Sequence, residues 1–152
     1  MKNIRQILKQ YWGHDGFRPL QEDIINSVLD GIDTLALLPT GGGKSICFQV
    51  PALSKEGICL VISPLIALMK DQVQNLNNKG IDALSVYSGM SFTEVKKTLQ
   101  QAAHGNYKFL YVSPERIETS LFLEYLPSMN INLIAVDEAH CISQWGSRFR
   151  PP

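Results

Sequence analysis

Pro39-Thr40-Gly41-Gly42-Gly43-Lys44-Ser45 follows directly on the run Thr34 to Leu38 and leads into a helical stretch. That run carries no polar alternation, which marks a strand covered on both faces, as in a parallel sheet. Three consecutive glycines let the backbone after it bend so that several amide hydrogens point inward. The positive end of the following helix adds to a field that holds an anion. The segment therefore reads as a phosphate cradle. Lys44 would reach the β and γ phosphates as a mobile point charge, and the Ser45 hydroxyl would hold Mg²⁺. The general pattern G-x-x-x-x-G-K-[ST] asks for glycine where this chain has Leu38. The simpler reading, a flexible glycine turn beside a surface lysine, leaves the strand-loop-helix context unused.

Upstream of the cradle, Ile4, Ile7, Leu8 and Tyr11 fall at helical spacing, which predicts a short amphipathic helix ending at Gly13. The turn-rich residues His14 to Arg18 then lead to Pro19, expected in the first turn of a second helix. Ile24, Ile25, Val28 and Leu29 share that helix's apolar face before Gly31 stops it. Downstream, Ile58 to Ile62, Ala83 to Tyr87, Phe109 to Val112 and Leu133 to Val136 are further short strand candidates. Between them lie two helical stretches. Pro64 to Lys79 buries a stripe of Leu65, Leu68, Met69, Val73 and Leu76. Ser91 to His104 opens on a capping box, Ser91 with Glu94, and closes at Gly105. Alternating strands and helices predict an α/β fold, a parallel sheet with flanking helices. The chain stops at Arg150-Pro151-Pro152, a few residues past its last expected strand.

The chain has 152 residues, room for one domain and its core. With 45% hydrophobic and 18% charged residues, it falls among globular proteins and away from disordered ones. Fourteen Lys and Arg balance fourteen Asp and Glu, so no overall basic field holds nucleic acid by counterion release, and any such contact must be local. The longest apolar stretch, Ile58 to Met69, is broken by Ser63-Pro64 and falls short of the roughly 20 residues a membrane span needs. Met1 to Gln6 has no apolar segment of signal-peptide length behind its charges. Cys47, Cys59 and Cys141 are scattered, without the paired spacing of a zinc site or a disulfide framework. These features predict reduced thiols in a cytoplasmic protein with no membrane partner.

A second signal, Val136-Asp137-Glu138-Ala139-His140, sits at the end of another apolar strand. Ligands collect at the carboxyl ends of parallel strands, where both motifs are expected to emerge. Asp137 would then reach the metal near Ser45, and Glu138 would orient and deprotonate an attacking water. The bland alternative is a pair of solvated carboxylates after a strand.

These residues together carry a resemblance. The chain resembles the first RecA-like domain of a RecQ-family DNA helicase, within helicase superfamily 2. Phe17-Arg18-Pro19-Leu20-Gln21 resembles that family's adenine-recognition motif 0, and Leu37 to Ser45 its motif I, in which a non-glycine residue at the position of Leu38 is usual. Ser63-Pro64-Leu65 with Leu68-Met69-Lys70-Asp71-Gln72 is similar to motif Ia, and Tyr111-Val112-Ser113-Pro114-Glu115 to the motif after it. Asp137-Glu138-Ala139-His140 resembles motif II, and Cys141 to Arg150 the aromatic-rich loop particular to RecQ enzymes.

The resemblance implies roles. The fold would be a RecA-like P-loop NTPase sheet, residues 1–152 forming an incomplete domain truncated at its C-terminal end. ATP and Mg²⁺ would be the cofactors, held by Thr40, Gly41, Gly42, Gly43, Lys44 and Ser45, with Ser45 and Asp137 on the metal. Lys44, Asp137, Glu138 and His140 would be catalytic. Gln21 would read the adenine edge with its planar amide, and His14 and Arg18 would sandwich the ring. Ser63, Gln72, Ser88, Gly89 and Ser113 would touch a DNA backbone without reading bases, although capping and turn chemistry explains the same residue types. Trp145, Phe149 and Arg150 would stack on single-stranded DNA bases, each stack contributing about 1 to 3 kcal/mol, or would pack against further parts of the domain. Relatives commonly have His-Asp where this chain has Ser147-Arg148.

Such a motor needs a second RecA-like domain with an arginine finger, whose loss typically costs about 10³ to 10⁵ in rate. The 152 residues alone are thus expected to bind ATP, turn it over slowly and be marginally stable. In the parent enzyme, hydrolysis would drive 3'-5' translocation on single-stranded and forked DNA in repair and recombination. The alternative is a nucleotide-dependent module that grips DNA or a partner without productive hydrolysis. A metabolite kinase would leave Gln21 and the Trp145 loop unexplained.

Overall fold

The computed structural model describes residues 3–31 and 44–137. The expected strand Thr34 to Leu38 and the cradle residues Pro39 to Gly43 lie outside them, as do Glu138, His140 and the loop carrying Trp145, Phe149 and Arg150. The chain divides into two compact units, residues 1–56 and 57–152.

The first unit holds α1 (Ile4–Trp12), α2 (Gln21–Leu29) and α3 (Ile46–Ser54). Asn3 caps α1, its side-chain oxygen accepting from the Arg5 N–H at 2.8 Å. Gly13 ends the helix as expected, returning its N–H to Lys9 O at 3.0 Å. The second helix begins later than its sequence suggests. Leu20 stands in the left-handed region at φ 74°, so a helical backbone cannot run through it from Pro19, and α2 starts at Gln21. Ile7, Leu8 and Ile25 are the buried apolar residues of the first two helices, both of which pack on α3. All of α3 except Phe48 is buried.

The second unit is a four-stranded sheet, order β2-β3-β1-β4, from β1 (Ile58–Ile62), β2 (Ala83–Val86), β3 (Phe109–Val112) and β4 (Ile131–Val136). Every pairing is parallel, as the strand-helix alternation predicted. Both central strands are buried along their whole length. Ile58, Leu60, Ile62, Leu110 and Val112 point to one face, where they join Val95, Leu99 and Ala102 of α5 (Phe92–His104) and Phe122 of α7 (Ser120–Tyr125). Cys59, Val61, Phe109 and Tyr111 alternate with these and face the other side. There α4 (Ile66–Asn78) buries Met69 and Leu76. Leu65 of the expected stripe is exposed, since it precedes the helix as an extended cap.

The Ser91–Glu94 capping box is present in both directions. Two short elements were not expected, α6 (Pro114–Ile117) and α7, followed by a 3₁₀ turn at Leu126–Ser128. Pro114 and the Thr119 cap set their starts. β4 begins two residues earlier than expected, and its Ile134 is 60% exposed. A shift of register between Ile58 and Cys59 joins β4 to β1. Gly57 makes that entry possible: its φ is +104°, and a Cβ there would collide with Asn130 O.

Candidate functional site

In the first unit, Lys44 and Ser45 form the turn that opens α3, with Ser45 already in helical geometry. Ser45 O accepts from the N–H groups of Phe48 and Gln49 at 3.2 and 2.9 Å, and Lys44 O from that of Cys47 at 3.1 Å. The Ser45 hydroxyl makes no capping bond to the helix. A nine-residue helix thus starts directly behind the lysine and the hydroxyl, which suits an anion at its N-terminus. Burial raises the Cys47 thiol two residues on, which disfavours the thiolate form a metal would need.

His14 and Arg18 are exposed. Gln21 is only 3% exposed, and its Oε1 accepts from the Arg18 N–H at 2.7 Å. The amide therefore fixes the turn that carries Arg18. Arg5 braces the same segment, pairing with Glu22 at 2.8 and 3.0 Å and lying 6.0 Å from the Phe17 ring centre.

In the second unit the carboxyl ends of the strands form one edge. Past β1, β3 and β4 the hydrogen bonding runs one residue further: Ser63 N–H donates to Val112 O, Ser113 N–H to Val86 O and Asp137 N–H to Ile62 O, at 3.1, 3.0 and 2.8 Å. Ser63, Ser113 and Asp137 are therefore fixed by the sheet itself. Ser63 is 0% and Ser113 1% exposed. The Ser63 hydroxyl accepts from the Leu65 N–H at 3.4 Å, and among the described residues the Ser113 hydroxyl has no hydrogen-bond partner. Asp137 Oδ2 accepts from Gln72 Nε2 at 3.1 Å, and Gln72 Oε1 accepts from Tyr111 Oη at 2.7 Å.

The loop after β2 completes the edge. Gly89 turns it at φ +101°. Arg116 clamps it, donating from Nε to Tyr87 O and from Nη2 to Met90 O at 3.1 and 2.9 Å. The exposed Ser88 hydroxyl donates to Glu115 at 3.1 Å, and Lys70 Nζ sits 4.6 Å over the Tyr87 ring. Sequence reasoning passed over Lys70, Tyr87, Tyr111 and Arg116 as individual actors. Lys70 and Tyr111 stood inside the quoted motifs, but nothing in their spacing names a partner.

Ser45 and Asp137 supply hard oxygen donors, the kind Mg²⁺ takes. Among the described residues no group of three or more His, Cys, Asp or Glu side chains is placed to hold a metal. No helix of the described residues is long and apolar enough to cross a membrane.

Comparison with known proteins fits this geometry. The chain is 47% identical over 145 residues to the ATP-dependent DNA helicase RecQ of Pasteurella multocida, covering 95% of this chain and 23% of that protein. It is 46% identical over 152 residues to the protein of the same name from Bacillus subtilis, covering 99% and 26%. The chain thus spans about a quarter of the length of these relatives. The crystal structure of a hypothetical ATP-dependent RNA helicase from Sulfolobus tokodaii matches 97% of this chain and 44% of its own, with TM-score 0.70 and 19% identity, which identifies the fold as that of a RecA-like helicase domain. The DEAD/DEAH box helicase family matches residues 18–151, well over half of the sequence, and the chain belongs to that family.

Proposed function

We propose that this chain is the first RecA-like, ATP-binding domain of a RecQ-like DNA helicase. The observation that carries this reading is the location of Asp137. It stands at the carboxyl edge of a parallel sheet, its main chain bonded to Ile62 and its carboxylate to Gln72. That edge is where α/β folds bind ligands. The identity to proteins named DNA helicases supports the same reading.

In this reading Lys44 and the backbone of Thr40 to Gly43 hold the nucleotide phosphates. Ser45 and Asp137 would hold Mg²⁺, which would supply positive charge against the β and γ phosphates. Glu138 takes the proton of the attacking water, and His140 transmits the state of the site. His14, Arg18 and Gln21 recognise adenine. Gln21 reads the adenine edge with its planar amide, close to the Arg18 turn that its Oε1 holds. Ser88, Gly89 and the aromatic loop of Trp145, Phe149 and Arg150 meet single-stranded DNA, and a second RecA-like domain completes a motor moving 3'-5'.

The test is Mg²⁺-ATP against Mg²⁺-GTP binding, together with DNA-stimulated ATPase. ATP is expected to bind selectively. Lys44→Ala should remove nucleotide affinity, and Gln21→Ala the selectivity. Glu138→Gln should lower the DNA-stimulated rate by about 10² or more while sparing nucleotide binding. DNA binding that depends on ATP but is accompanied by no hydrolysis would instead mark a nucleotide-gated binding module.

A further inference from the structure

Gln72 was expected to touch DNA; in the structure its amide bonds to Asp137 and Tyr111. Both ends of its amide are engaged, Nε2 with Asp137 Oδ2 and Oε1 with Tyr111 Oη. Elementary chemistry sets the direction of this relay. An ionised carboxylate can only accept, so only the NH₂ end can face Asp137. The carbonyl end must then face Tyr111, and the phenol must donate to it. Tyr111 is 0% exposed on the central strand β3, so its hydroxyl is held by the core and not by water.

The relay ties three elements together: β3 through Tyr111, α4 through Gln72, and the end of β4 through Asp137. The Asp137 main chain is separately bonded to Ile62 of β1. Backbone and one carboxylate oxygen are thus both pinned. The terminal torsion of an aspartate is otherwise broad and soft. Fixing one oxygen fixes where the other can point, and removes a freedom that metal binding would have to freeze.

We infer that Gln72 is a positioning residue for the metal-holding carboxylate of Asp137, with Tyr111 as its anchor. This rests on the assignment of Asp137 to Mg²⁺ made above. Groups that hydrogen-bond to metal-ligating side chains typically contribute about 10- to 100-fold in metal affinity. The relay also makes α4, which follows Ser63-Pro64-Leu65, a mechanical neighbour of the metal site. A shift of that helix moves the group that aims the carboxylate.

The experiment measures Mn²⁺ affinity by electron paramagnetic resonance, with Mn²⁺ in place of Mg²⁺ and ADP bound to the protein. Gln72→Met, close in size but without either amide end, should weaken Mn²⁺ binding about tenfold. Metal-free ADP affinity and affinity for a single-stranded oligonucleotide should stay unchanged. Tyr111→Phe removes one oxygen and keeps the ring, and it should give a smaller loss in the same direction. It carries the test should Gln72→Met fail to fold. Asp137→Asn checks the underlying assignment and should remove most of the Mn²⁺ binding. If Asp137→Asn leaves Mn²⁺ affinity intact, the metal assignment fails and the inference with it. If Asp137→Asn weakens binding while the Gln72 and Tyr111 variants do not, the inference alone is overturned. Loss of oligonucleotide affinity in Gln72→Met with Mn²⁺ affinity unchanged overturns it as well, and returns Gln72 to the DNA track.

Discussion

Ser63 and Ser113 close the two central strands and are shut away from solvent, whereas Ser88, two residues past the end of the outer strand β2, is exposed. All three are serines after apolar strands of one sheet. The central pair have a strand on each side, and their own N–H groups extend the ladder by one bond. Among the described residues β2 pairs only with β3, and the chain beyond it leaves the sheet as a loop that Arg116 holds. Position in the sheet, more than residue type, therefore decides which hydroxyl can meet a ligand. The inner part of the edge is built to hold groups still, and the outer part to present them.

The strongest way to break this contrast is to release the outer loop. Arg116→Ala removes two charge-assisted hydrogen bonds to Tyr87 and Met90 and should cost about 2 kcal/mol in urea unfolding. A loss under about 0.5 kcal/mol would mean the loop keeps its shape without the clamp. Lys70→Ala tests presentation itself. It should weaken single-stranded DNA binding by about 1 kcal/mol and lower the slope of log K against log salt by about 1, with folding nearly unchanged. Ser113→Ala tests the inner part. Its hydroxyl has no partner among the described residues, so the change should be neutral or slightly stabilising, within about 0.5 kcal/mol, and DNA affinity should hold. A clear loss of DNA affinity would open the inner edge to ligand after all.

The smallest effect lies in the capping box just past the loop. Hydrogen bonds from the Ser91 backbone and side chain hold the Glu94 carboxyl below its ordinary value. Its contribution is therefore complete above the ordinary carboxylate range and is lost as pH falls through the lowered value. Glu94→Gln should flatten the acid limb of the stability profile slightly, as thermal melts between pH 3 and pH 6 would record about this one group.

Much of this architecture was legible beforehand, for local reasons. β1 and β3 match their expected bounds because uninterrupted apolar runs are the pattern of strands covered on both faces. Gly13 and the Ser91–Glu94 box mark helix ends through bonds made within a few residues. The start of α2 was misread because nothing in Pro19-Leu20 announces a left-handed leucine. Gln72, Tyr111 and Asp137 each stood inside a motif quoted from the sequence, but their partnership could not be read there. Gln72 meets Asp137 across 65 residues and Tyr111 across 39, and only the register of the sheet brings them together.

The closed centre of the sheet also turns a chemical group into a timer. Cys59 lies in β1 with 0% exposure, and burial pushes its thiol far above the ordinary range, Lys108 opposing this only in part. Alkylation requires the thiolate and access to it, so a labelling reagent registers Cys59 only when the sheet opens. Cys47, buried in α3, sits in the other compact unit. Among the described residues each unit thus carries one buried thiol, and in a Cys141→Ser background the separate labelling rates of Cys47 and Cys59 under native conditions would time the opening of each unit on its own.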